Sequence, residues 1–169
     1  MIPHSDGTLL NMAEQRQYWL IKSEPDVYSI DDLQRDGQTC WDGVRNYQAR
    51  NFMRDQMCVG DLCLYYHSNA KPSGIAGLAR ICKAGYPDHT AFDPDDPHYD
   101  PKSKKESPTW YMVDVAFEEK FAKLILLDTL KADEKLKAML VVQRGQRLSV
   151  QPVEKKHFER ALKLARQVK

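Results

Sequence analysis

The chain has no long hydrophobic run, no paired cysteines and almost no net charge, and each absence removes a class of protein. No apolar stretch approaches the roughly 20 residues that cross a bilayer as a helix. The leading segment MIPHSDGTLLNMAEQRQ lacks the basic and apolar regions of a secretion signal, and it also lacks the basic run of a nuclear one. A cytoplasmic protein with no membrane partner is expected, in a bacterial cytosol ahead of a eukaryotic nucleus. Cys40, Cys58, Cys63 and Cys82 stand far apart with no C-x-x-C spacing, which argues against a zinc framework and a disulfide scaffold. With 25 Lys and Arg against 24 Asp and Glu, the formal net charge is +1, too little for a protein that coats long duplex by neutralising phosphates. Gly74 and Gly77 do not complete a G-x-G-x-x-G fingerprint and no P-loop is present, so no cofactor is expected. Internal repeats, heptads and low-complexity linkers are missing as well.

What remains is a chain of 169 residues with 42% hydrophobic and 29% charged residues, enough for one domain with a sizeable core. Residues 1–17 read as a leader, disordered or arising from an early start, and residues 18–169 as the domain, expected to be monomeric. Tyr18 to Lys22 is an apolar and aromatic run that reads as a strand. Ser29 with Asp32 forms a capping-box pattern for a short helix ending near Gly37. A short extended run ends at Trp41 and Asp42, and Gly43 breaks it. Asn46 then caps an amphipathic helix whose apolar positions are Ala49, Phe52, Met53 and Met57.

Asp61 to His67 fits a strand buried on both faces, and Gly74 to Ala84 a second strand in which Gly74 and Gly77 allow a bend or a close backbone approach. From Pro87 to Thr109 proline and aspartate prevent regular ladders, giving a long loop that reads as a lid or rim. Tyr111, Val113, Val115 and Phe117 alternate toward a core, with Trp110 on the opposite face. Leu124 to Leu140 reads as an apolar helix. Leu148 and Val150 mark a last strand, and Phe158, Ala161, Leu162 and Ala165 the buried stripe of a final helix. Short strands with helices inserted between them predict an α+β domain rather than alternating βαβ units.

Two stretches join an aromatic frame to clustered small polar groups: CWDGVRNYQARNFMR at Cys40 to Arg54 and GDLCLYYHSN at Gly60 to Asn69. With YWLIKSEP at Tyr18 to Pro25, GIAGLARI at Gly74 to Ile81, PHYDP at Pro97 to Pro101, WYMVDV at Trp110 to Val115 and QRLSVQP at Gln146 to Pro152, they closely resemble the EVE-domain family. The resemblance runs from about Tyr18 to the last helix. It implies a PUA-like pseudo-β-barrel of short mixed strands with a C-terminal helix, and recognition of a modified base in nucleic acid. Among bases it points to 5-methylcytosine or 5-hydroxymethylcytosine, in DNA ahead of RNA.

Single bases are read by stacking on an aromatic face and by hydrogen bonds to their edges. Trp41 is the first candidate stacking surface, against the alternative of a core indole; Trp19 reads as core, and Trp110 as a second pocket wall. Lys22 and Ser23 end the first strand, where side chains turn toward a barrel mouth. Asn46 offers a donor and an acceptor to a pyrimidine edge, although capping explains it equally. Alternation sends Tyr66 and Ser68 to one side of their strand and His67 to the other, so one set lines the cavity. Arg45 and Arg147 suit phosphate or a ring carbonyl, or salt bridges to carboxylates.

His89, Asp93, Asp95, Asp96, His98 and Asp100 lack calcium-loop or zinc spacing, so no metal is expected. Two other classes stay open. One is an enzyme on a nucleotide or small heterocycle, with His67 paired to Glu24 or Asp42. The other is a protein-interaction module using the acidic loop and the basic last helix. The expectation is a non-catalytic reader of a modified base.

Overall fold

A computed structural model describes residues 16–167; most of the expected leader lies outside the described residues. Six strands, β1 (Tyr18–Ser23), β2 (Gln38–Cys40), β3 (Leu62–His67), β4 (Gly74–Pro87), β5 (Tyr111–Leu126) and β6 (Val150–Val153), form one mixed sheet in the order β2-β5-β4-β3-β1-β6. β1 (Tyr18–Ser23) pairs in parallel with β3 (Leu62–His67), and every other neighbouring pair is antiparallel. Helix α1 (Ile30–Asp36) follows β1, with the expected reciprocal capping box between Ser29 and Asp32. β2 (Gln38–Cys40) leads into α2 (Tyr47–Asn51), whose N-cap is Asn46 and which winds into a wider π-helical turn at Phe52–Gln56. β4 (Gly74–Pro87) and β5 (Tyr111–Leu126) are the long strands. After α3 (Leu127–Ala132), β6 (Val150–Val153) and α4 (Lys155–Arg166) close the chain.

The sheet is buried on both faces, which is why β1 and β3 are continuously apolar. On one face Trp19, Ile21, Cys63 and Tyr65 join Ile30, Leu33, Met53, Trp41 and Val44 in a core. On the other, Leu20, Leu64 and Tyr66 meet Phe121, Leu136, Phe158 and Ala161 beneath α4. The first core needs one polar anchor: Trp19 Nε1 donates to Asp61 Oδ2 at 3.0 Å, and Cys58 N–H donates to the same oxygen at 2.9 Å.

β4 and β5 slip register four times, and such slips bend a strand pair and increase its twist. The largest slip falls between Ile75 and Gly77, where a Cβ on Gly77 would run into the Glu119 carbonyl. Of the bend and the close backbone approach that the sequence allowed, close approach explains that glycine.

Two expectations are corrected. The continuous helix over 124–140 is instead the end of β5, the short α3 and two 3-10 turns at Glu134–Leu136 and Leu140–Val142. Its apolar start is recruited by β4, where Gly74 and Ile75 pair with Leu126 and Ile125. The alternation from Tyr111 to Phe117 holds only in part: Val113, Val115 and Phe117 reach one core, but a register slip adds Met112 to it and leaves Tyr111 partly exposed.

Candidate functional site

Where β1, β2 and the segment before α2 converge, a cleft of about 460 Å³ opens. That volume suits a small ligand; such pockets run from roughly 300 to 1,000 Å³. One wall comes from Lys22, Ser23, Val27 and Tyr28, the other from the run 39–45, with His98 and Ser149 at the edges. Trp41 sits in this wall with 8% of its surface exposed, its ring edge-on to Tyr65 at 5.5 Å. The indole is therefore part of the core and part of the cleft wall.

Thr39, Asp42, Ser23 and Ser149 bring hydroxyl and carboxylate groups beside the indole. Burial lowers the Lys22 ammonium and raises the Cys40 thiol, the latter aided by the Asp42 and Asp114 carboxylates. Tyr28 is pushed up to about 12, first by burial and then by its bond to Asp36, so it remains a neutral phenol. Cleft chemistry is thus that of uncharged hydroxyls and a thiol beside an ammonium and an aspartate.

The wall is held by one buried carboxylate. Asp88 is fully buried and its Oδ2 accepts from Gly43 N–H and Arg45 Nη1, both at 2.9 Å. Its Oδ1 accepts from Thr90 N–H at 2.9 Å and from the Thr90 hydroxyl at 2.6 Å. Burial alone would raise the Asp88 carboxyl, but the bonds from Thr90, Gly43 and Arg45 outweigh it and hold the group below the usual carboxylate range. Arg45 also donates from Nε and Nη2 to the His98 carbonyl at 3.1 and 2.8 Å, tying the Pro87–Thr109 loop to the cleft. Gly43 has φ +76°, and a Cβ there would lie 2.6 Å from the His98 imidazole.

That loop is ordered largely by its acidic residues. The carboxylates of Asp93, Asp96 and Asp100 accept the N–H groups of Asp95, His98 and Lys102, and Asp100 also accepts from Trp110 Nε1 at 2.7 Å. The acidic run is accounted for by turn capping. Among the described residues no three His, Cys, Asp or Glu side chains gather as a metal ion would need.

Of the residues singled out by sequence, the cleft brings together Lys22, Ser23, Trp41 and Arg45. The others lie elsewhere. Asn46 caps α2 by accepting Ala49 N–H at 3.0 Å, and Tyr66 faces the opposite core. His67 Nε2 accepts Ile30 N–H at 3.1 Å, which caps α1 and removes that nitrogen from proton transfer to a ligand. Ser68 N–H donates to the Ser23 carbonyl at 3.0 Å, holding β3 to the end of β1. Trp110 stacks behind α2 on Tyr47, and Arg147 is exposed on the loop before Ser149. Tyr28, Thr39, His98, Ser149 and the anchoring Asp88 were missed. They arrive from turns and loops far apart in the chain, with no periodic signal to mark them.

Residues 17–164 match the family described as EVE domain. The chain belongs to the EVE domain family. Thymocyte nuclear protein 1 of Rattus norvegicus is 48% identical over 166 residues, covering 87% of this chain and 73% of the relative. Among solved structures, a protein of Pseudomonas syringae is 47% identical with a TM-score of 0.85, covering 88% of this chain and 99% of that one. The human THYN1 protein, crystallised in complex with 5-methylcytosine-containing DNA, is 45% identical with a TM-score of 0.85, covering 90% of this chain and 99% of that one. The EVE fold, with its PUA-like mixed sheet, is therefore that of this chain. No helix among the described residues is long and apolar enough to cross a membrane.

Proposed function

We propose that the protein is a non-catalytic reader that captures a modified cytosine of DNA in the Trp41 cleft. The observation that carries this reading is a base-sized cleft with an indole in its wall, in a chain 45% identical to a protein crystallised with 5-methylcytosine-containing DNA. Trp41 and Tyr28 supply the apolar surface for a flat ring, while Ser23, Thr39 and Ser149 offer hydroxyl partners to its edge and Lys22 a cation to a ring carbonyl. Extruding a base from a duplex costs a few kcal/mol, which these contacts must offset. The base arrives flipped from duplex or already unpaired, and one copy of the chain suffices.

DNA is favoured over RNA by the human relative's ligand. The compartment is that of the nucleic acid; relatives occur in Pseudomonas as well as in animals, so a bacterial cytosol suits this reading as well as a nucleus. An acid–base role for His67 is disfavoured by its cap to Ile30.

The test is fluorescence titration with matched oligonucleotides carrying cytosine, 5-methylcytosine or 5-hydroxymethylcytosine, as DNA and as RNA, for the wild type and Trp41→Ala. Selective binding of one modified DNA strand, lost in Trp41→Ala, is expected. Equal affinity for all strands, or full selectivity without Trp41, refutes the reading.

A further inference from the structure

The exposed large hydrophobic side chains among the described residues are Val27, Tyr47, Val59, Tyr99 and Leu126. Singly exposed apolar residues need no explanation. Of these, Val27 lines the cleft, and Tyr47 follows the cleft-lining Arg45 by two residues and is tied to it through Trp110.

Tyr47 has a built support. Its ring, 62% exposed as a residue, stacks on Trp110 with centroids 5.0 Å apart and planes 25° apart. Trp110 is fixed from behind by its bond to Asp100 and by the Arg45 guanidinium 5.3 Å from its centroid. The Arg50 guanidinium lies 5.0 Å from the Tyr47 ring and 5.9 Å from the Trp110 ring. A cation over the outer face of Tyr47 would be about twice the ring spacing from Trp110. Arg50 therefore sits beside the pair, where its Nη1 donates to the Thr109 carbonyl at 2.7 Å. The outer face of Tyr47 is left open. The result is an aromatic plate, rigid from behind, with a fixed cation at its edge.

We infer that Tyr47 is a stacking platform for the nucleotide base next to the one held in the Trp41 cleft, with Arg50 at its edge for the adjoining phosphate. The inference rests on the base-capture reading and extends it. Continuity with the cleft selects a nucleic-acid strand as the occupant: Arg45 lines the cleft and lies against Trp110, and Trp110 carries Tyr47, so one side chain joins the cleft to the platform. Any base has a π-face, so the platform adds affinity without adding sequence preference.

The test uses single-stranded DNA pentamers with a central 5-methylcytosine, either complete or with an abasic site on the 5′ or the 3′ side of it. Tyr47→Ala is expected to weaken binding of the complete strand roughly 5- to 150-fold, and Tyr47→Phe to leave it near wild type. On the strand whose abasic site removes the stacked neighbour, wild type and Tyr47→Ala should bind alike. Unchanged affinity in Tyr47→Ala, or an equal loss on all three strands, overturns the platform. Free 5-methyl-2′-deoxycytidine, followed by NMR, separates the two readings. If it binds wild type and Tyr47→Ala alike but not Trp41→Ala, the cleft reading holds whatever Tyr47 does. If neither nucleoside nor strand depends on Trp41, both readings fall. Tyr47 is mostly exposed, so its truncation leaves the fold intact, and an unchanged thermal midpoint checks this.

Discussion

Replacing Asp88 is the sharpest probe of how the cleft is built. Its carboxylate accepts four hydrogen bonds, from Gly43, Arg45 and twice from Thr90, and no part of it reaches solvent. Asp88→Ala leaves the Arg45 guanidinium and the Gly43 and Thr90 donors without their acceptor. Breaking a buried ion pair from one side costs about 3–5 kcal/mol. For a chain of this size that lowers Tm by roughly 6–20 °C. Asp88→Asn keeps the shape but turns an NH2 group toward donors on one side, so a loss of about 2–3 kcal/mol is expected, as for a hydrogen bond to a charged group.

Urea unfolding followed by tryptophan fluorescence measures both variants. Acid adds a second signature, whose sign follows from the lowered carboxyl. A group with a folded pKa below its unfolded value stabilises above the unfolded value, about 3.9 for aspartate, and loses that stabilisation as pH falls through the folded value. The gap between wild type and Asp88→Asn should therefore be full at neutral pH and shrink below about pH 4. An Asp88→Asn variant within about 0.5 kcal/mol of wild type at pH 7 would refute the reasoning, because that is the range of an ordinary surface change.

Gly43→Ala should destabilise by about 1–3 kcal/mol and weaken ligand binding more than stability, since φ +76° disfavours a side chain and the new Cβ meets His98; thermal melts beside a binding titration compare the two effects. Asp61→Ala orphans the buried Trp19 indole N–H and the Cys58 and Gln17 N–H groups, at an expected cost of about 2–4 kcal/mol with the cleft chemistry untouched, and denaturant midpoints test it. Competition binding should give 5-methylcytosine an advantage of about four- to tenfold over cytosine, the value of one buried methyl at about 0.8 kcal/mol or somewhat more. A preference above about 200-fold would mean that polar rejection, not methyl burial, sets selectivity.

Local signals carried much of the fold into the sequence. The Ser29 capping box, the Asn46 cap and the two-sided strands β1 and β3 depend on near neighbours and were legible. The end of strand β5 was not, because its last residues are apolar in a way that suits either helix or strand, and only pairing with Gly74 and Ile75 decides. For the cleft, Trp41, Lys22, Ser23 and Arg45 were found because they cluster in sequence beside aromatics. Asp88 and His98 could not be: each reaches Gly43 or Arg45 across more than forty residues of chain, through a loop whose acidity suggested charge rather than capping.

If the proposed reading holds, the placement of these groups divides the work of binding in a way that follows from energies. A methyl-sized recess contributes only about 1 kcal/mol, less than the few kcal/mol that extruding a base demands. A cleft that selected by that methyl alone would be selective yet nearly empty. Stacking contributes roughly 1–3 kcal/mol per base and does not distinguish among bases, so an aromatic plate beside the cleft raises occupancy without eroding selectivity. Arg45 belongs to both parts: it is anchored on Asp88 at the wall and braces Trp110 beneath Tyr47. Rigid support matters because ordering a loose side chain on binding would consume about 0.5–1.5 kcal/mol, much of what one stacked base supplies. On the proposed reading the buried carboxylate serves recognition indirectly, by keeping the indole wall and the tyrosine plate in one fixed frame before any strand arrives.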